Sequence, residues 1–259
     1  MRRRARALSV LLLLAALLVA LAGGCAAPAP KGRQVLAGSA GMNLLILPFN
    51  LAVAMPEEID PYREAVWEAL EDYLRAHGKR LRTVSYRDAR RFWIASTQEV
   101  RAGPNGARAG YDEAARVLVR KLARHADFDT VIAPSLYIRE ARITKDVASW
   151  DGVERVVEIE AISREAREIA ARTPLEGLAP AASLHVVVLD AEGNNLHESK
   201  GGLELLVSVR VMRPPGALTG EPAFKFTTRS APFANRDHLR EGIALALSPY
   251  LPSLLPVSE

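Results

Sequence analysis

A single cysteine, Cys25, stands in 259 residues, so the chain has neither a disulfide framework nor a thiolate metal site to fold around. Aromatic residues make up only 6%, and charges of both signs alternate along the chain. A nucleic-acid surface needs a concentrated basic face, usually with aromatic platforms, so no nucleic-acid partner is expected. Catalytic signatures are missing as well. No Gly-x-Ser-x-Gly occurs, and Ser135 follows Pro134 inside a strand-like segment instead of standing on a sharp strand-to-helix turn. His77, His125, His185, His197 and His238 fall in separate elements, with no His-x-His or His-Glu-x-x-His to hold zinc. Gly103, Gly106 and Gly110 lack a following Gly-Lys-Ser/Thr and read as a flexible loop. Asp127 and Asp129 read as a solvated turn before a strand. Glu158 and Glu160 share one strand face, whereas acid-base catalysis places two acids on opposite sides of a substrate. The expectation is therefore no enzyme, no metal and no cofactor.

What is present begins at the amino terminus. Arg2, Arg3, Arg4 and Arg6 precede an apolar run, Leu8 to Leu21, that is too short and too rich in leucine and alanine for a comfortable membrane span. The small residues Ala22, Gly23 and Gly24 let an extended backbone enter a peptidase groove. The next residue, Cys25, offers a thiol that can carry diacylglycerol through a thioether. The run Leu21-Ala22-Gly23-Gly24-Cys25 resembles the lipobox of bacterial lipoproteins. That family prefers leucine three residues before the cysteine, where this chain has Ala22, with Leu21 one place earlier. The resemblance implies a signal peptide over residues 1–24, cleavage between Gly24 and Cys25, and acylation of Cys25 with palmitate-type chains. At about 0.8 kcal/mol per buried methylene, three acyl chains anchor a protein essentially permanently. Ala26 stands where an aspartate would signal retention at the inner membrane, which implies the outer membrane.

Residues 25–41, with Pro28, Pro30, Gly32 and Gly38, have little to bury and read as a lipidated flexible tether. Fully extended, it reaches roughly 50 Å. The chain has 34 basic against 30 acidic residues, and four of the basic ones are arginines of the signal segment, which holds no acid. The basic excess thus belongs to the part removed. Residues 42–259 are expected to form a single periplasmic α/β domain, long enough to fold on packing alone.

Within it, Met42 to Phe49 reads as a doubly buried strand. Asp60 and Pro61 supply an N-cap and a first-turn proline to a helix that carries Val66, Leu70 and Leu74 inward and ends at Gly78. Leu81 to Val84 is a second strand, and Ser85 with Asp88 begins a second helix. A third helix runs from about Tyr111 to His125, and Thr130 to Ala133 is a third buried strand. The second half alternates differently. Val153 to Ile162 reads as a strand, Ser163 to Arg172 as a short helix, and Thr173 to Pro180 as a surface loop. Leu184 to Leu189 ends in the hairpin chemistry of Asp190 to Asn194. Leu203 to Met212 is a long strand, Arg213-Pro214-Pro215-Gly216 turns the chain, and Asn235 caps a final helix. The fold class is α/β: a mixed sheet flanked by helices, antiparallel hairpins in the second half and a carboxy-terminal helix.

This order, with Leu47-Pro48-Phe49 near the start, Ser85-Tyr86-Arg87-Asp88 at a helix start and Leu189-Asp190-Ala191-Glu192-Gly193 at a hairpin, resembles a superfamily of envelope domains. Its members include the curli secretion lipoprotein, lipoprotein activators of penicillin-binding proteins, and the amino-terminal domain of the Tol-Pal translocation protein. The resemblance implies a protein that contacts other envelope proteins and does not catalyse. The expected function is a periplasm-facing outer-membrane lipoprotein acting as an accessory, assembly or protein-interaction factor, held in the membrane through Cys25. The sequence leaves the oligomeric state open. In the loop from Tyr137 to Val153, Trp150 and Asp151 place a large aromatic among charges, as an interface anchor does; the alternative is a Trp150 that plugs the sheet edge. Leu203 to Met212 approaches the length of a membrane β-strand, which would suit an oligomeric outer-membrane secretion pore subunit. Against that, Glu204 and Arg210 share a face with Leu206 and Met212. A small-molecule-binding or hydrolytic periplasmic domain is the remaining alternative.

Overall fold

A computed structural model describes residues 43–104, 110–160, 168, 175–212 and 223–252. In chain order the elements are β1 (Asn43–Ile46), α1 (Arg63–Ala76), β2 (Arg80–Thr83), α2 (Tyr86–Ala102), α3 (Tyr111–Leu122), β3 (Thr130–Thr144), β4 (Val147–Trp150), β5 (Val153–Val156), β6 (Ile159–Glu160), β7 (Gly177–Asp190), β8 (Asn195–Leu205), β9 (Val207–Met212), β10 (Ala223–Thr228) and α4 (Arg236–Leu247). They form the expected α/β fold, a mixed sheet flanked by helices with antiparallel hairpins late in the chain and a carboxy-terminal helix. Apart from Glu168, the short helix over Ser163 to Arg172 lies outside the described residues, as does the turn at Arg213-Pro214-Pro215-Gly216.

Local chemistry sets the ends of the helices. Ser85 accepts from the Asp88 amide at 3.1 Å and donates to its carboxylate at 2.7 Å, capping the start of α2. Asn235 accepts from the amides of Asp237 and His238, at 3.0 and 3.3 Å, to start α4. Gly78, at φ +69°, ends the turn after α1. At the start of α1 the structure departs from expectation. Asp60 and Pro61 lie in a short 3-10 turn, Asp60–Tyr62, that feeds the helix, and the Asp60 carboxylate pairs with Arg63 at 3.2 Å instead of capping.

The main sheet runs β2-β1-β3-β7-β8. β1 is parallel to β2 and β3, and β7 is antiparallel to both β3 and β8. β3 is far longer than the Thr130 to Ala133 strand that the sequence predicts, because Pro134 does not interrupt it. The Pro134 carbonyl accepts from Asn50 N at 3.2 Å, so its missing N–H faces the β1 side and costs no bond in the β7 ladder. Fourteen residue pairs, Thr130↔Asp190 through Ile143↔Gly177, therefore stay in register. That ladder takes Gly177 to Pro180 into β7, where the sequence reads as surface loop.

β1 ends at Ile46, and Asn50 continues its pairing with a side chain. At φ +55° its Nδ2 donates to Leu136 O at 2.8 Å, while Leu136 N donates to its Oδ1 at 2.7 Å. The carboxamide thus stands in for one more strand residue. At the other end of β3 the chain turns through Lys145 and Asp146, at φ +50° and +66°, which suits a two-residue hairpin. The supposed loop before Val153 is the β3–β4 hairpin with β5 added. The predicted strand from Val153 also divides, since β5 belongs to the main sheet and β6 to a second, three-stranded sheet, β10-β9-β6. Leu203 to Met212 divides likewise at Leu206, where β8 leaves the main sheet and β9 enters the second.

Three apolar clusters result. One lies between α1, α4 and the sheet face carrying Ile46, Ile132, Leu184 and Val186. The second lies between α2, α3 and the opposite face, with Leu45, Val131, Val187 and Leu189. The third fills the curl of β4 and β5 against β8 and β9, around Trp150, Val153, Leu205 and Val209. At about 25 cal/mol per Å² of buried apolar surface, such clusters dominate the folding free energy. A buried ion pair joins the two sheets: Glu204, 2% exposed at its side chain, meets Arg229 at 3.0 Å and His238 at 2.6 Å.

Candidate functional site

The second sheet face is longer than the helices that cover it. α2 and α3 cap its β1 end, and beyond them β3, β7 and β8 floor a groove of about 900 Å³, within the size range of ligand pockets. Its walls are the 47–54 loop with Val53 and Ala54, the Trp93, Thr97 and Val100 side of α2, and the Tyr111 end of α3. The Trp93 and Tyr111 rings lie 5.5 Å apart.

The strand register lays polar residues across the floor. Ser135 stands opposite His185, and His185 opposite Lys200. His185 Nε2 lies 3.0 Å from Glu198 Oε1, and Asn195 donates to the other Glu198 oxygen at 3.2 Å. Tyr137 lies farther along β3, with Arg139 Cζ and Lys200 Nζ each 5.8 Å from its ring centre and the His185 ring edge-on at 6.4 Å. Its hydroxyl donates to Asp151 Oδ2 at 3.3 Å, and Arg139 Nε approaches the same oxygen at 3.6 Å. Burial, then the Asp151 charge and hydrogen bond, push the Tyr137 phenol well above the ordinary tyrosine range.

Glu198 holds His185 and Asn195, and Asp151 holds Tyr137 and Arg139. The Ser135 side chain makes no hydrogen bond among the described residues. His185 Nε2 is taken by Glu198. The geometry is that of a lined binding groove with an aromatic wall, a cation-flanked tyrosine and mixed charge at its mouth.

Gly24 and Cys25 lie outside the described residues, as does Gly106. Trp150 is 7% exposed, and its indole donates to Ala182 O at 3.2 Å inside the curl, the plugging position that the sequence allowed as its second role. Asp151 sits at the groove's far end on Tyr137 and Arg139. Asp129 accepts from Asn43 N at 2.7 Å, fixing the start of β1. Glu160 is clasped by Ser208 and Arg210, which hold its carboxyl below the usual range, and Glu158 pairs with Arg229 at 3.2 Å. His77 bridges the carbonyls of Tyr73 and Pro252, 2.8 Å from each. His125 stacks near Phe92 at 5.1 Å, and His197 meets Ala246 O at 3.0 Å.

Sequence reasoning missed Tyr137, His185, Glu198 and Lys200 because their meeting depends on a three-strand register. The alternation of β8, His197 to Lys200, was the available signal. No family model matches this chain, and no curated protein matches it.

Proposed function

We propose that this chain is a lipid-anchored outer-membrane protein facing the periplasm, and that it works as a non-enzymatic accessory or assembly factor by holding a segment of another envelope protein in the groove. The anchor is supported by the sequence around Cys25. The binding reading is carried by one observation: a stretch of sheet face left uncovered by helices, walled by Trp93, Tyr111 and the apolar 47–54 loop. Aromatic side chains in a partly desolvated cleft supply contact area at low entropic cost. The mutual pairing of the floor residues supports binding over hydrolysis.

Photo-crosslinking in intact envelopes tests this. A photoreactive residue replacing the exposed Val53 or Tyr111 at the groove should yield a discrete protein adduct, and one replacing the exposed Val156, away from it, should not. Equal labelling from all three positions, or none from any, would sink the reading. The volume of the groove also favours a small apolar ligand as a second reading. Native mass spectrometry showing a bound compound lost on Trp93→Ala, with no protein adduct, would select it. The anchor is tested separately: Cys25→Ser in the full chain should leave an unprocessed or soluble product, and unchanged size and membrane retention would overturn it.

A further inference from the structure

α2 turns a second face away from the groove. Tyr86, Arg87, Arg90, Arg91 and Ile94 line a shallow open depression there; Tyr86 is 50% and Ile94 42% exposed. At helical spacing, positions 87, 90, 91 and 94 fall on one stripe. Asp88 is the acid within the stripe, and it is engaged by Ser85 at 2.7 Å and by Arg91 at 3.6 Å. Arg90 Nη1 lies 3.4 Å from the Tyr86 hydroxyl, and Arg87 and Arg90 have no carboxylate partner among the described residues. The edge strand β2, immediately before α2, adds the exposed Arg80 and Arg82. From Arg80 to Arg91 the chain holds one acid, Asp88, and the fold sets these arginines beside an exposed aromatic and an exposed aliphatic side chain.

We infer that this stripe seats the domain on the anionic phosphate headgroups of a lipid surface. Guanidinium groups take phosphate oxygens in paired hydrogen bonds, a tyrosine sits comfortably at headgroup depth, and an isoleucine gains by entering the acyl boundary. The inference rests on the anchoring reading. Cys25 would hold the lipid, and the 17 residues between it and Asn43 lead into the strand whose first residue pairs with Arg80. Read as the tether that the sequence implies, these 17 residues have a root-mean-square reach of roughly 25 Å, short enough to keep the domain near the surface that bears the anchor. Lipidation and a basic patch are the two signals that together fix a protein on a membrane. Here the second signal would set which way the domain lies.

The test uses the chain from residue 25 with Cys25→Ser, which keeps every described residue and has no acyl group. It is sedimented with vesicles of phosphatidylcholine alone or mixed with phosphatidylglycerol. Binding should appear only with the anionic lipid and fall steeply from about 50 to about 300 mM salt. Arg87→Gln/Arg90→Gln/Arg91→Gln should lose on the order of a hundredfold in partitioning, at about fivefold per arginine. Tyr86→Ser/Ile94→Ser should lose several-fold and keep the salt dependence. Unchanged binding by a folded triple variant, equal binding to neutral vesicles, or displacement from vesicles by a DNA oligonucleotide at matched phosphate would overturn the inference, the last making the stripe a nucleic-acid surface. If the triple variant does not fold, Arg90→Gln alone reads the same effect at about fivefold, and its absence counts equally against the stripe. The protein in the vesicle assay carries no acyl chain of its own, so failure of the anchor appears only in the processing of the full chain, and failure of the stripe only here.

Discussion

The two faces of the main sheet are built from the same strands yet meet different fates. One is covered along its length by α1 and α4, which bring Leu70, Leu74, Leu239, Ile243 and Leu247 onto Leu44, Ile132, Leu184 and Val186. The other is covered by α2 and α3 only near β1, and its outer half turns polar, with Ser135, His185 and Lys200 in a cross-strand row. A face closed from end to end supplies stability. A face left half open supplies a place for something else to bind, at the cost of arranging its own polar groups in pairs.

The largest test of that contrast lies on the closed face. A Cβ at Gly242 would fall against the carbonyl of Gly202, so Gly242→Ala must lift α4 from β8. The loss should be about 4 kcal/mol, read as a fall in the thermal midpoint of roughly 10 °C; an unchanged midpoint would contradict the contact. Next is Asn50→Ala, at the rim of the open face. It leaves the buried N–H and C=O of Leu136 without the carboxamide, for an expected loss of about 2–3 kcal/mol in urea unfolding. A loss under about 0.5 kcal/mol would mean that water replaces the side chain. The smallest effect lies on the groove floor, where Tyr137→Phe should change little at neutral pH. The folded phenol is raised above the ordinary tyrosine value, so above about pH 10 the unfolded chain loses this proton first. Stability held in full below that pH should decline above it. Tyr137→Phe should flatten the decline, and identical alkaline profiles would argue against the raised phenol.

Elements whose signals are local were legible in the sequence. Ser85, Gly78 and Asn235 mark helix ends through bonds to amides two or three residues away or through a left-handed turn, and the inward rows of α1, α3 and α4 follow helical spacing. Asp190 to Asn194 likewise turns as expected, with Asp190 accepting from the amides of Glu192 and Asn194 at 3.1 and 2.7 Å. What escaped depends on partners distant in sequence. Pro134 looks like a strand end until the β1 side is seen to need no N–H there. Leu206 looks like any residue of a long alternating strand until two sheets compete for it. The groove escaped for the same reason, since Ser135, His185 and Lys200 come from three strands. The arginine stripe escaped for a different one: a chain-wide count hides that Arg80 to Arg91 hold a single acid, Asp88, and only the helix sets Arg87, Arg90 and Arg91 on one face.

Gly201 and Gly242 bring two backbones together with no side chain between them, since a Cβ on Gly201 would strike the Gly242 carbonyl and one on Gly242 the carbonyl of Gly202. A contact made by side chains can drift, one partner shrinking as the other grows. This one cannot be reached or left by single compensated steps, because no smaller residue exists to absorb a neighbour's gain. The seam between β8 and α4 is therefore a fixed point in the protein's mutational landscape, and variation should collect elsewhere, along the groove rim and on the outward face of α2.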